Sequence, residues 1–197
     1  MLNSVNNNSN QTSFKAFLKV SEPIDKTRLK NIQKIFSQKT SDIKDTLTVS
    51  HIGKGEDKEE VYYLGQDYAK GTWGSLKTSF ADMMENLSDN EIATKLAKVA
   101  GALKVISVRE FLSSDSDSEA LRYQQEKKRC LKISEIFVSK GNELMASRFR
   151  GLAGIYDKKL DQFNKRQQNI DNYYLKKLKT IADGDKEILE FKNLMLS

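Results

Sequence analysis

The chain has 197 residues, of which 33 are Lys or Arg and 27 are Asp or Glu, giving a formal net charge of +6 with 38% hydrophobic residues. This is the composition of a water-soluble globular protein, and the length suffices for one domain or two small ones with a real core. No apolar run approaches the roughly 18 residues that span a bilayer, and the N-terminus lacks the basic and apolar regions of a secretory signal peptide.

Residue types that commonly carry chemistry are scarce. Cys130 is the only cysteine, which excludes an internal disulfide and a cysteine-rich zinc site within one chain and fits a reducing, cytosolic compartment. His51 is the only histidine, so no two-histidine metal site can form and the commonest general base is nearly absent. The sequence therefore predicts no metal and no cofactor, and it disfavours an enzyme.

Residues 1–12 form a polar leader that is rich in Asn and Ser. The segment has no apolar periodicity, which is typical of a disordered terminus. Its composition resembles the Ser/Asn-rich leaders of effectors exported by Gram-negative type III secretion. That resemblance implies a secreted bacterial effector, a virulence protein that enters a host cell by a route independent of a signal peptide.

Residues 13–112 predict an α+β head with the order strand, helix, strand, strand. Apolar residues alternate along 14–20 and again along 45–52, and period-two alternation indicates half-buried strands. Residues 60–64 predict the returning strand of a hairpin, which places His51 beside Glu59 and Glu60. Ser21, Pro23 and Asp25 provide helix-start chemistry before an apolar helical pattern that ends near Thr40.

The second half of the head predicts mainly helices. Residues 65–74 read as a glycine-punctuated loop, on which Trp73 is either a partner-binding anchor or packed over the core. Residues 75–87 predict a helix, and Ser88 with Glu91 has capping-box spacing before another. Residues 105–112 fit a strand or a further helical stretch, and we favour the helix. A strand there would give the element order of ferredoxin-like folds, which include RNA-recognition modules. Those modules carry a Lys/Arg-Gly-aromatic motif on the third strand, and residues 59–64 lack it.

Residues 113–118 (SSDSDS) predict a linker or the capped start of a helix. Residues 119–197 predict a basic helical hairpin or bundle: one helix over 119–140, a break at Gly141-Asn142, a long helix over 143–182, and a last short helix. The long helix has apolar residues at steps of three and four, which is coiled-coil or bundle spacing. This seam comprises Met145, Phe149, Leu152, Tyr156, Leu160, Phe163, Gln167, Ile170, Tyr174, Leu178 and Ile181. We expect the helix to fold back antiparallel on 119–140, while pairing with a second chain is the alternative.

The predicted hairpin carries the positive charge of the chain, with 15 Lys and Arg against six Asp and Glu between Ala120 and Ala182. Such rows are either a solvated helix face or a surface for nucleic-acid phosphates or anionic phospholipids. Gly151 and Gly154 predict close packing against another backbone. The cations form three clusters: Lys127, Lys128, Arg129 and Lys132; Lys158, Lys159, Lys165 and Arg166; Lys176, Lys177 and Lys179.

These features predict a non-enzymatic protein-protein interaction or scaffold protein that uses its basic helical arm. Its candidate anchors are Trp73, Phe149 and Tyr156, and its partner is another protein or a second copy of the chain. The first alternative is a binder of nucleic acid or anionic membrane, in which neutralising Lys127, Lys128 and Arg129 abolishes binding. The second alternative is an enzyme with a carboxylate-based site built from Asp57, Glu59, Glu60 and Asp67.

Overall fold

The computed structural model describes residues 16–21, 25–53, 58–65 and 72–190, without the side chains of 113–117. It is an α+β structure, mostly helical, and this confirms the predicted fold class. The strands are β1 (Phe17–Val20), β2 (Thr46–Ile52), β3 (Glu59–Leu64) and β4 (Thr72–Gly74). The helices are α1 (Lys26–Lys39), α2 (Phe80–Asn86), α3 (Asp89–Ser139), α4 (Glu143–Ala182) and α5 (Lys186–Leu189).

The chain divides into two compact units. The head comprises Met1–Leu103 with Glu190–Ser197, and the hairpin comprises Lys104–Leu189. The predicted polar leader at 1–12 lies outside the described residues, as does most of the last predicted helix.

The head contains one mixed sheet with the strand order β1-β2-β3-β4. β1 runs parallel to β2 and the other neighbours are antiparallel, so α1 supplies the crossover that a parallel pair requires. The helix begins at the predicted cap Asp25, whose carboxylate accepts the Thr27 N–H at 2.8 Å. Gln33 of α1 reaches the edge strand, where its amide accepts from Leu18 N–H at 2.6 Å and donates to Ala16 O at 3.2 Å.

The two central strands are buried on both faces. Leu47 and Val49 lie on one face as the alternation predicts, and Thr48 between them is also buried. Val61 and Tyr62 are adjacent on β3 and both are fully buried. β2 is therefore covered on both sides, because alternation reports the type of side chain and not what packs against the more polar face. β1 is half-buried as predicted, with Leu18 buried and Phe17 exposed.

The predicted loop over 65–74 is wrong at its end, where the chain forms β4. Trp73 lies in this strand, 4% exposed and directly opposite Tyr63, with the two ring centroids 6.1 Å apart. A strand of three residues is too short to show an alternating pattern in the sequence. α2 also begins later than predicted, because Ser79 and Asp82 form a reciprocal capping box at its start.

α3 is one continuous helix through the predicted linker. The Ser88–Glu91 capping box before it is confirmed, with Ser88 N–H donating to Glu91 at 2.8 Å. The helical prediction for 105–112 is also confirmed, whereas the break at 113–118 is wrong. Asp and Ser weaken a helix only modestly, and the segment contains none of the Gly or Pro that interrupt one. The boundary between units falls between Leu103 and Lys104 instead.

The hairpin turns where predicted. Gly141 has φ 69°, and Asn142 caps α4 by accepting the Met145 N–H at 3.1 Å. Contacts between the helices pair late residues of α3 with early residues of α4. The rings of Phe137 and Phe149 stack at 5.7 Å, and Arg109 binds Asp171 at 2.7 Å farther along. The antiparallel fold-back is therefore confirmed.

Small residues line the contact between the two hairpin helices. Ala146 and Ala153 are buried, and the Ser134 hydroxyl donates to Ala146 O at 3.1 Å. Cys130 is buried in the same unit, which fits a packing role. The predicted seam is correct except at one step, because Leu152 is exposed and Ala153 takes the inner position. Because alanine is only weakly hydrophobic, the periodic pattern in the sequence predicted Leu152 at the buried position and not its neighbour Ala153.

Candidate binding surfaces of the helical hairpin

Exposed apolar side chains are concentrated in the hairpin. Among the described residues, every exposed large hydrophobic side chain except Phe17 lies in that unit. Two antiparallel helices share one contact face, so their remaining apolar side chains have no neighbour within the unit to cover them. Single exposed apolar side chains are normal on a protein surface, whereas a contiguous group of them marks an interaction surface.

One group lies near the start of α4, and we call it the tip surface. Leu144, Leu152 and Ile155 are 69%, 44% and 51% exposed. At 3.6 residues per turn they share a sector of roughly 100° with Arg148 and Gly151. A methyl group built on Gly151 meets no atom within 4 Å, and the same is true of Gly154. The predicted close packing at these glycines is therefore absent among the described residues, which leave the face around Gly151 open.

The three predicted aromatic anchors are engaged inside the molecule. Trp73 is buried in β4, so its ring offers almost no surface. Phe149 is half-buried and stacks on Phe137. Tyr156 is half-buried and lies 6.3 Å from the Tyr123 ring. Their burial has a common cause: large aromatic rings are the side chains that a small sheet or a two-helix interface uses first for its own packing.

The first basic cluster divides into paired and unpaired cations. Lys127 is half-buried and binds Asp157 across the hairpin at 2.5 Å, so it ties the two helices together. Arg129 lies 3.9 Å from Glu126 on the same helix. Lys128 and Lys132 are exposed and form no ion pair with another described residue. With Leu131 they line a shallow depression of about 580 Å³ on α3.

The second and third clusters divide in the same way. Lys159 lies 5.3 Å from the Tyr123 ring centroid, and Lys177 lies 5.2 Å from that of Tyr173; both are cation–π distances. The remaining lysines of α4 point outward. Lys158, Lys165, Lys176 and Lys179 are exposed, form no ion pair with another described residue, and share a sector of roughly 60°.

A narrow groove of about 150 Å³ lies between the helices of the hairpin. Tyr123 donates its hydroxyl proton to Glu119 at 2.6 Å on one wall. This hydrogen bond is the main reason that the pKa of Tyr123 is raised, because it stabilises the protonated phenol; Arg122 and Arg166 act in the opposite direction. The sequence analysis did not predict this site, although residues spaced by three and four positions, such as Lys159, Gln162 and Arg166, lie on one side of a helix. The lining residues are Glu119 and Tyr123 on α3 and Lys159, Gln162, Phe163 and Arg166 on α4.

The carboxylates of the proposed enzyme site do not gather into a described cluster. Glu60 accepts the Phe80 N–H at 2.9 Å and the Tyr62 hydroxyl at 2.6 Å, so it caps α2. Glu59 is exposed, and Asp57 and Asp67 lie outside the described residues. The described parts of the chain contain no group of three or more His, Cys, Asp or Glu side chains arranged to hold a metal ion. His51 lies opposite Glu60 in the sheet register, as predicted.

Comparison of the chain with protein-family models, curated protein sequences and solved structures finds no match in any of the three. No helix within the described ranges combines the length and the apolar character that a membrane crossing requires.

Proposed function

We propose that this protein is a non-enzymatic interaction module whose tip surface receives an acidic amphipathic helix of a partner protein. The observation that carries the proposal is the grouping of exposed Leu144, Leu152 and Ile155 around Gly151 on one side of α4. A helix that lays its apolar side on another helix needs anchors three, four, seven or eight positions apart, and these three residues are eight and three positions apart.

Gly151 supports close approach by a second backbone. Glycine inside a helix lowers stability by roughly 0.5–1 kcal/mol relative to alanine. No contact with a described residue compensates for that cost, because no described atom lies within 4 Å of the added methyl position. Small residues at a helix crossing permit a short distance between axes, so a bound helix supplies the missing compensation.

The charges around the tip surface favour an acidic partner. Arg148 lies within the surface and forms no ion pair with another described residue. Between Ala120 and Ala182 the cations outnumber the carboxylates by 15 to six. A second copy of the chain would place like charges together, whereas acidic residues beside an apolar stripe would complement Arg148 and its neighbours.

The test uses a labelled synthetic helix of about three heptads, with an apolar stripe and Glu on its flanks. We expect Ile155→Glu and Gly151→Ala each to weaken its binding by roughly tenfold, which corresponds to about 1.4 kcal/mol. Leu175→Glu is the matched control, because Leu175 is similarly exposed on another side of α4. The readout is fluorescence anisotropy, and circular dichroism checks that each variant is folded.

Two results would refute the proposal. One is equal affinity for a peptide of the same charge whose apolar residues are scattered around the helix. The other is equal loss of binding in Leu175→Glu. Sedimentation of the free protein tests the competing occupant, since a dimer disrupted by Ile155→Glu would assign the tip surface to a second copy.

A second candidate function is binding of nucleic acid by the outward lysines of α4. Lys158, Lys165, Lys176 and Lys179 favour it because no described carboxylate neutralises them. Each contacted phosphate of a single strand contributes about −0.7 to the slope of log affinity against log salt. We expect Lys158→Gln with Lys165→Gln to reduce that slope for a labelled oligonucleotide, and Lys127→Gln to disturb the hairpin instead. An unchanged slope would exclude this surface.

The role of a secreted effector stays a prediction that depends on residues 1–12. Deleting them is expected to abolish export from a strain with type III secretion while leaving binding of the synthetic helix intact. Export of the truncated chain at the normal level would remove the leader from consideration.

A further inference from the structure

The groove between Tyr123 and Arg166 holds more positive charge than its own carboxylate offsets. Lys159 and Arg166 line it, and Arg122 lies near enough to act on the Tyr123 phenol. Glu119 is the carboxylate that lines the groove near these three cations, and it already accepts a hydrogen bond from the Tyr123 hydroxyl. Neither Lys159 nor Arg166 forms an ion pair with a carboxylate among the described residues. The site therefore has a local surplus of positive charge.

The size of the groove selects a small ligand. Its volume of about 150 Å³ is below that of sites for drug-sized molecules, which begin near 300 Å³. An inorganic anion, or one anionic group of a larger molecule, fits this space.

The donors have the types that a tetrahedral oxyanion requires. The Arg166 guanidinium offers a planar fork that binds two oxygens at once. The Gln162 amide adds a neutral N–H donor, and the Lys159 ammonium adds a point charge. The tyrosine rings under Lys159, at 5.3 and 5.7 Å, fix the position of that ammonium.

We propose that this groove is a binding site for a phosphate-sized oxyanion, held by Lys159, Gln162 and Arg166. The site uses other residues than the tip surface, beginning one turn farther along the same side of α4, and does not depend on the function proposed for that surface. Glu119 is a positioning residue: it holds the Tyr123 hydroxyl and sets the wall of the groove without contacting the anion.

The experiment is a titration of the full chain with sodium phosphate at constant ionic strength, followed by NMR of side-chain N–H groups. We expect saturable shifts at Gln162 and Arg166, and a roughly tenfold loss of affinity in Arg166→Gln. Lys140→Gln is the matched control, since it removes one positive charge from an exposed residue of the same unit that does not line the groove. Its affinity for phosphate should equal that of the unaltered chain.

Sodium chloride and sodium sulfate complete the test of specificity. Sulfate is expected to bind at the same residues, and chloride to produce no saturable shift. Equal responses to chloride, or an equal loss in Lys140→Gln, would overturn the proposal. So would linear shifts that never saturate.

The phosphate group can come from solution or from a lipid headgroup, and vesicles containing a phosphoinositide separate the two sources. Retention on these vesicles that Arg166→Gln removes and Lys140→Gln preserves assigns the groove to a headgroup. Binding of inorganic phosphate without vesicle retention assigns it to a free anion. Failure of both probes would overturn the proposal.

Discussion

Gly141 and Gly151 differ in backbone conformation, and this difference decides whether an added methyl group stabilises or destabilises the fold. A methyl group at either position meets no described atom within 4 Å, but Gly141 has φ 69° and Gly151 is helical. We expect Gly151→Ala to raise the free energy of unfolding by about 0.5–1 kcal/mol. Gly141→Ala should lower it by roughly 1–2 kcal/mol, because an L-residue is strained in the left-handed region. Urea denaturation measures both, and equal signs would contradict the argument.

Tyr123 gives a second prediction at the scale of a single residue. Its hydrogen bond to Glu119 raises the pKa of the phenol above its ordinary value of about 10. Folding therefore favours the protonated phenol, so this contribution to stability is present below the ordinary pKa and is lost as the pH rises through the folded pKa. Glu119→Gln should lower the pKa of Tyr123. Ultraviolet titration against Tyr123→Phe isolates this phenol, and an unchanged pKa would mean that the hydrogen bond does not form.

The ends of the short elements depend on contacts between residues far apart in the chain. Arg28 of α1 binds the carbonyl oxygens of Met84 and Leu87 at the end of α2, the latter at 2.6 Å. It also binds Asp89, in the first turn of α3, at 2.7 Å. One guanidinium thus closes one helix and joins it to the next.

We expect Arg28→Ala to lower the free energy of unfolding by about 1–3 kcal/mol, because carbonyl oxygens at the end of α2 lose their partner. Arg28→Lys should be intermediate, since an ammonium keeps the charge but cannot hold the same fork of contacts. Chemical denaturation gives the values. A neutral effect of Arg28→Ala would show that water replaces the guanidinium without cost.

The elements that the sequence predicted well are those whose signals are local. The capping box at Ser88, the turn at Gly141-Asn142 and the bounds of α4 depend on residues within a few positions of one another. β4 was missed because its burial of Trp73 depends on pairing with Tyr63. The break at 113–118 was predicted from composition alone, which does not decide whether a flanking helix continues.

The candidate sites follow the same division. Helical periodicity alone suffices to put the outward lysines of α4 on one side, because the helix itself determines which side they occupy. It could not separate Lys127, which binds Asp157 across the hairpin, from Lys128, which has no described carboxylate. The groove was missed for the same reason: the positions of Tyr123 and Arg166 become meaningful only after the register of the two helices is known.

At the scale of the whole molecule, the two units differ in how they are stabilised. Most of the buried apolar side chains among the described residues belong to the head, and most of the exposed ones belong to the hairpin. Local opening requires less free energy where fewer apolar contacts must be broken. Amides of β2 and β3 should therefore exchange with solvent only through global unfolding, whereas those in the middle of α4 exchange through a smaller opening.

Native-state hydrogen exchange followed by mass spectrometry tests this difference. We expect amides of α4 to exchange at least roughly tenfold faster than those of β2 and β3 under conditions where exchange reports the opening equilibrium. An acidic synthetic helix bound at the tip surface should slow exchange in α4 and leave the sheet unchanged, because a ligand stabilises the folded form of the segment that it contacts. Uniform protection across both units would mean that the chain opens as one cooperative structure, and that the exposed side of α4 is already stabilised without a partner.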